Sequence, residues 1–363
     1  MSRICYFCEL QIVLMAPKNN NLERIIIDFI KSHPQTSSKE IHEGVGNAGS
    51  YATIKRVIQS LVQSNLIHVQ GKGKGTKYHI SPSYEVLIPI NPEDYFQKEI
   101  DEREIKSGFN HELITSQLKA TSLFTDNEHQ HLTQLQTTFK NNLANLSPQE
   151  FKKEFERLAI DLSWKSSQIE GNTYSLLETE RLLKDQETAS GKTKDEATML
   201  LNHKAALDFI SDHSSYVQPL TISAIEDIHS LLIKDLNVTR NIRHRRVGIS
   251  GTNYKPLDNE HQIKEALMDT CTLVNSKSDI FEKALLVLVL ISYIQPFADG
   301  NKRTARIISN AILMNHQYCP ISFRTVDSID YKKAMLIFYE QNNISAFKKI
   351  FIEQFEFAVN TYF

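Results

Sequence analysis

Apolar positions recur with helical period from Asn21 onward, where Leu22, Ile25, Ile26, Phe29 and Ile30 share one face. That helix must stop near His33-Pro34, because the residue before a proline is pushed out of the helical region. Thr36-Ser-Ser-Lys-Glu40 then supplies a hydroxyl followed closely by a glutamate, a layout that opens a second helix through Ile41. A third helix is predicted from about Ser50, with Ile54, Val57, Ile58, Leu61 and Val62 on one face. Between Leu66 and Ile80 the pattern changes to two short strands around the glycine-rich turn Gly71-Lys-Gly-Lys-Gly75. Pro82, Pro89, Pro92 and the charged run Lys98-Glu-Ile-Asp-Glu-Arg-Glu104 break any period, so residues 82–130 read as a linker and helical arm. From 131 to 363 long helical patterns dominate, and Phe281–Ile294 is apolar almost all round, as in a helix buried on every side.

Length and composition agree with a mainly α protein of more than one part. A chain of 363 residues suggests two domains, or one with a large extension. Apolar residues at 41% and charged residues at 23%, with 12 Gly and 10 Pro, describe a soluble, helix-rich fold. The formal net charge of −2 argues against attraction of the whole protein to nucleic acid or anionic lipid. Locally the balance differs: Ser50–Ile80 holds five Lys or Arg and no acidic residue. Three helices and a hairpin over residues 21–81 make a winged helix-turn-helix, and the segment resembles such domains of bacterial regulators. The resemblance implies that Lys55 and Arg56 face a major groove while Lys72, Lys74 and Lys77 ride the wing beside the phosphates. Double-stranded DNA is then one candidate partner. The other reading is an interaction or dimerisation module with a solvated basic wing, which leaves a homodimer open.

Cys5, Cys8, Cys271 and Cys319 are too scattered for a disulfide framework, and a reducing compartment is expected. Cys5-x-x-Cys8 lacks a second pair at zinc spacing, so it reads as incidental. Residues 1–20 form an extension without signal-peptide layout, and Met15-Ala-Pro-Lys is the expected true start. The longest apolar run, Ala284–Ile291, is far below the roughly 20 residues that cross a bilayer. The expectation is a cytoplasmic protein with no membrane partner.

Candidate chemistry concentrates after the apolar helix. It ends at Gln295-Pro296, and another helix is predicted to begin near Asn301. Gly300 permits a backbone conformation that other residues resist. The free N–H groups opening the second helix make an anion site aided by the helix dipole. Lys302, Arg303 and Arg306 add positive charge, and Asp299 suits magnesium, which prefers one or two carboxylates plus phosphate oxygens.

The stretch Gln295-Pro-Phe-Ala-Asp-Gly-Asn-Lys-Arg-Thr-Ala-Arg306 resembles the signature of the Fic (Fido) family, His-x-Phe-x-Asp/Glu-Gly-Asn-Gly/Lys-Arg-x-x-Arg, at every defined position except the first. Upstream, Ser166-Ser-Gln-Ile-Glu-Gly-Asn172 is similar to the family's inhibitory motif, Ser/Thr-x-x-x-Glu-Gly/Asn, on a helix near 155–172. The resemblance covers roughly residues 131–363 and implies a helical Fic core with a short β-hairpin flap. It implies a protein adenylyltransferase that moves AMP from ATP, with Mg2+, to a Ser, Thr or Tyr hydroxyl of a target protein, itself included. By resemblance Asp299 holds the metal; Gly300, Asn301, Lys302 and Arg303 cradle phosphates; Arg306 reaches the far end of ATP; and Phe297 anchors the loop. Tyr331 and, less directly, Asn342 are the implied adenine-side contacts. Arg246–Pro256 resembles the target-docking flap, with Val247, Gly248, Ile249, Ser250 and Tyr254 along it. Ser166 and Glu170 share a helix face, and the resemblance implies that Glu170 pairs with Arg306 and blocks productive ATP binding.

Gln295 stands where the family has its proton-accepting histidine. Glutamine can orient a hydroxyl but cannot become the cation that carries its proton away. Losing a positioned base typically costs roughly a hundred- to ten-thousand-fold in rate. Three accounts follow: an inactivated transferase, a degenerate domain that senses nucleotide within a DNA-binding regulator, or replacement of the base by another group, with His244 the sole nominee.

Overall fold

Among the described residues, reciprocal caps begin five of the α-helices. Ser37 accepts from the Glu40 backbone N–H while the Glu40 carboxylate accepts from Ser37 N, and the same box opens the helices that start after Thr125, Ser147, Ser175 and Thr193. The structure is a computed structural model that describes residues 20–363; the Cys5/Cys8 pair and the expected start at Met15 lie outside the described residues. Its chain divides into two compact units, up to Tyr84 and from Glu85 onward.

The first unit contains α1 (Asn20–Ser32), α2 (Ser38–Gly44), α3 (Tyr51–Gln63), β1 (Ile67–Gln70) and β2 (Lys77–Ile80). The strands pair antiparallel with Ile67 opposite Ile80 and His68 opposite His79. Ile26, Ile30, Ile41, Ile54, Val57, Ile58 and Leu61 are the buried core beneath them. This is the three-helix and hairpin order expected of a winged helix. The helix α4 (Tyr84–Leu87) straddles the boundary.

The second unit continues with α5 (Pro92–Tyr95), α6 (Leu118–Ala120), α7 (Asp126–Ala144), α8 (Pro148–Ile169), α9 (Leu176–Asp185), α10 (Lys194–Asp212) and α11 (Ile222–Leu232). It closes with α12 (Glu260–Ser276), α13 (Ile280–Ile294), α14 (Asn301–Asn315), α15 (Ser328–Gln341) and α16 (Ser345–Tyr362). Every residue of α13 from Phe281 to Ile294 is buried, so this helix is the axis around which the others pack. Among the described residues no helix is long and apolar enough to cross a membrane.

Two expectations change. Residues 82–130 were expected to be a linker and arm, yet from Glu85 they are part of the second unit and are bonded into it. Tyr95 Oη donates to Glu340 at 2.6 Å. Arg103 pairs with the same fully buried carboxylate at 3.4 Å, and Asn110 N donates to Tyr293 Oη at 2.9 Å. The flap, expected as a β-hairpin, is extended backbone turning at Ser250-Gly251 with no ladder; among the described residues the only sheet is β1–β2. Its backbone partners come from elsewhere: Arg103 donates to Gly251 O at 2.8 Å, and Lys255 N donates to Ser107 O at 2.8 Å.

Candidate active site

A cleft of about 350 Å³ opens where α13 hands over to α14. Gln295, the C-cap of α13, is left-handed at φ 51°, and Gly300, the N-cap of α14, is left-handed at φ 82°. These two turns fold Pro296–Asp299 into a tight loop. Phe297 is its anchor, fully buried and stacked on His229 of α11 with ring centroids 3.6 Å apart. His229 Nε2 lies 3.0 Å from Asp299 O, so the same ring also supports the far side of the loop. Asn301 braces the interior: its Oδ1 accepts from Phe297 N at 2.8 Å, and its Nδ2 donates to Phe297 O and to Gln295 Oε1, each at 2.9 Å. Gly300 has no side-chain cap, which leaves the first N–H groups of α14 facing the cleft side.

Cations ring this helix start. Arg303 is almost fully buried and donates to Asp299 Oδ2 at 2.9 Å. Burial lowers the Arg303 pKa, opposed by Asp299 and Glu170. Arg306 is completely buried, with its guanidinium carbon 5.3 Å from the centre of the Tyr331 ring. It is held from the last turn of α8: Nε donates to Ser166 Oγ at 2.8 Å, and Nη2 donates to Ser166 O at 3.0 Å and to Glu170 Oε1 at 2.9 Å. Lys302 Nζ reaches the other Glu170 oxygen at 3.1 Å. Burial alone would push the Glu170 carboxyl up, but Arg306 and Lys302 overcome it and hold it at about 2. Glu170 is thus a part-buried anion filling the place beside Arg306 and Lys302. It ends α8, and Gly171 at φ 101° turns the chain away behind it.

Of the residues singled out from sequence, Glu170, Val247, Gly248, Ile249, Ser250, Gln295, Asp299, Gly300, Asn301 and Lys302 line the cleft. Ser166, Arg303 and Arg306 lie behind its wall. Tyr331 does not line it, because the ring is fully buried against Arg306; Lys332, Met335, Leu336 and Tyr339 of α15 do. Asn342 is also buried, as the left-handed cap of α15, bonded to Asn110 at 3.0 Å and to Tyr293 Oη at 3.2 Å. Tyr254 anchors the flap from inside, donating to Tyr293 O at 3.0 Å, rather than facing a partner. His244 stands exposed and paired with Glu260 at 2.9 Å, away from the cleft lining. In the first unit Lys55, Arg56, Lys72 and Lys74 are exposed, whereas Lys77 is tied to Glu40 at 2.9 Å.

Sequence reasoning missed His229 and Arg243. Arg243 is buried and joins the base of the flap to the loop, donating from Nε to Gln295 O at 2.6 Å and from its backbone N to Pro296 O at 3.0 Å. It opens the basic run Arg243-His-Arg-Arg246, whose other members are exposed, so only tertiary packing distinguishes it. No group of three or more His, Cys, Asp or Glu gathers to hold a metal among the described residues. The donor set is a single carboxylate, Asp299, with one oxygen bonded to Arg303. That suits a magnesium ion arriving with phosphate oxygens and not a resident metal.

Comparison with known proteins assigns the parts. The Fic/DOC family model matches residues 219–313, and the penicillinase repressor model matches residues 20–137. The chain is 30% identical over 172 residues to "Protein adenylyltransferase Fic" of Nematostella vectensis, spanning 46% of this chain and 40% of the relative. It is 28% identical over 159 residues to "Protein adenylyltransferase fic-1" of Caenorhabditis elegans, spanning 42% of this chain and 31% of the relative. It therefore spans less than half of either relative's length. A Fic domain-containing signaling protein from Bacteroides thetaiotaomicron shares the fold at TM-score 0.55 and 20% identity, over 63% of this chain and 94% of its own. A variant of C. elegans Fic-1 does so at TM-score 0.57 and 17% identity, over 94% of this chain and 97% of its own.

Proposed function

Given a Fic/DOC domain at residues 219–313, preceded in sequence by a winged helix of penicillinase-repressor type, we propose that the protein is a Fic-type adenylyltransferase. Glu170 restrains it, and Gln295 cripples its usual chemistry. The substrate is ATP and the acceptor a Ser, Thr or Tyr hydroxyl on a protein. The hydroxyl oxygen attacks the α-phosphorus, the bond to the bridging oxygen of the β-phosphate breaks, and pyrophosphate leaves. The proton released from the hydroxyl needs an acceptor. Gln295 offers none, and its amide is already bonded at both ends, to Ser292 O at 2.6 Å and to Asn301 at 2.9 Å. Asp299 would hold a magnesium ion, which supplies charge neutralisation among the phosphates. The start of α14, Lys302 and Arg306 bind and orient the anion. The flap segment Val247–Ser250 lines the opposite wall, where a target backbone would lie. The same reading puts the protein's work in the cytoplasm, where ATP is.

The observation that carries this is the Glu170 carboxylate seated on Arg306 and Lys302, an anion of the protein in the place an anionic ligand would take. The experiment incubates the protein, Gln295→His, and Gln295→His with Glu170→Gly, each with labelled ATP and magnesium, and follows label on protein. Label in the histidine forms only, strongest with Glu170→Gly, is expected. No label in any form favours a nucleotide sensor, and label in the unaltered chain overturns the assignment of Gln295.

A second reading is favoured by the exposed Lys55, Arg56, Lys72 and Lys74: a DNA-bound regulator in which the Fic-fold unit senses nucleotide. Retention of duplex DNA at moderate salt, lost on replacing Lys55 and Arg56, tests it.

A further inference from the structure

We propose that His203 is a positioning residue for the Glu170–Arg306 clasp, fixing Ser166 as a hydrogen-bond acceptor for Arg306. The inference rests on the reading of Glu170 as the restraint on nucleotide binding.

His203 sits in the apolar stripe of α10, in register with Leu200 and Leu207, and is fully buried. Leucine would pack there. A buried imidazole needs a hydrogen bond to offset its lost hydration, and His203 Nε2 finds one at 2.7 Å, on Ser166 Oγ.

The protons can be accounted for. Arg306 is always protonated and can only donate, so Ser166 Oγ is the acceptor for Arg306 Nε. The serine has one proton left to give, and His203 Nε2 is the remaining partner of its hydroxyl. In the arrangement that uses the serine proton, Nε2 carries the lone pair and the ring proton sits on Nδ1, which has no hydrogen-bond partner among the described residues. A neutral ring also suits its surroundings: burial, then Arg306 and Arg303, hold the His203 pKa well below the usual histidine value. Arg306 therefore donates two ways, directly to Glu170 and to Ser166, which passes its own proton on to His203, so the chain of bonds links α14 through α8 to α10. A serine hydroxyl is otherwise a free rotor. His203 selects the orientation whose lone pair faces Arg306, and so braces the last turn of α8 from the side away from the cleft. It touches neither the cleft lining nor the place of the reacting atoms.

Calorimetry with magnesium-ATP on the full chain tests this, comparing wild type, Glu170→Gly, His203→Leu, His203→Gln and Ser166→Ala. Loss of one hydrogen bond from the clasp should tighten ATP binding by about 3- to 10-fold in His203→Leu. His203→Gln, whose amide oxygen can replace Nε2 as acceptor, should stay near wild type. Ser166→Ala should tighten binding similarly and add nothing further to His203→Leu. If Glu170→Gly tightens binding while His203→Leu does not, the proposal is overturned. If Glu170→Gly has no effect, the restraint itself is wrong. Nitrogen NMR of the His203 ring then judges the geometry alone: protonated Nδ1 and bare Nε2 support the hydrogen-bond direction, and protonated Nε2 overturns it. Should His203→Leu fail to fold, Ser166→Ala and the ring tautomer decide the matter.

Discussion

The side-chain amide of Asn301 donates to the side-chain oxygen of Gln295 across 2.9 Å, tying the first residue of α14 to the C-cap of α13. Gln295 is therefore a brace in the loop as well as the residue proposed above to stand in for the base. Asn301 also holds both backbone groups of Phe297. Asn301→Ala leaves the buried Phe297 N–H unpaired and should destabilise the second unit by about 1–3 kcal/mol. Gln295→Ala leaves Asn301 bonded to Phe297 and should cost less, about 0.5–1.5 kcal/mol. Urea unfolding measures both, and ATP affinity should fall more in the asparagine variant.

Glu170 gives a pH signature. Its folded pKa of about 2 lies below the unfolded value of 4.5, so its stabilisation is fully present above pH 4.5 and fades as pH falls toward 2. Glu170→Gln should lose stability near neutrality, by roughly 3 kcal/mol. Its melting temperature should then converge on that of wild type in acid. Parallel pH curves would show that the carboxylate is not the group held by Arg306.

Arg103 and Glu340 form an ion pair with side chains 3% and 0% exposed. Arg103→Met leaves a buried carboxylate without its cation and should destabilise by about 3–5 kcal/mol. Arg103→Met with Glu340→Met should recover much of this, since an apolar pair of similar volume avoids the desolvation of both charges. Because Arg103 also holds Gly251 O, flap amides should exchange faster with solvent in the single variant.

The winged helix divides its lysines. Lys77 is paired with Glu40, while Lys72 and Lys74 stand free in the exposed turn. If duplex DNA binds, replacing Lys72 or Lys74 should reduce the salt slope of affinity by about one each. Replacing Lys77 should change it less. Titration of a duplex across a salt series measures this.

Short-range chemistry was legible in the chain. The cap at Ser37–Glu40, the proline stop after α1, the hairpin around Gly71–Gly75, the fully buried α13 and the turn at Gly300 all depend on residues within a few positions of one another. What was not legible depends on distant partners. His229 and Arg243 look like ordinary polar residues until Phe297 and Gln295 O arrive beside them. Tyr331 was read as a ligand contact from the family resemblance, yet helix rotation gives the cleft surface to Lys332, Leu336 and Tyr339 and turns Tyr331 inward beneath Arg306. The flap was expected as a hairpin from the resemblance, but the segments opposite it offer single bonds, a donor from Arg103 and an acceptor at Ser107 O, in place of a second strand.

The packing of residues 85–130 sets where the chain can be cut. A fragment begun at residue 131, the boundary that sequence similarity suggests, would lose Tyr95 and Arg103 from Glu340, and Asn110 from Tyr293. It would carry an orphaned carboxylate in its interior and a flap without its moorings. A fragment begun at Glu85 keeps all of these. The smallest piece that recombination could transplant intact into another protein thus starts before the arm, and a gene fusion made at the motif's apparent edge would inherit the Pro296–Asp299 loop without the frame that shapes its opposite wall.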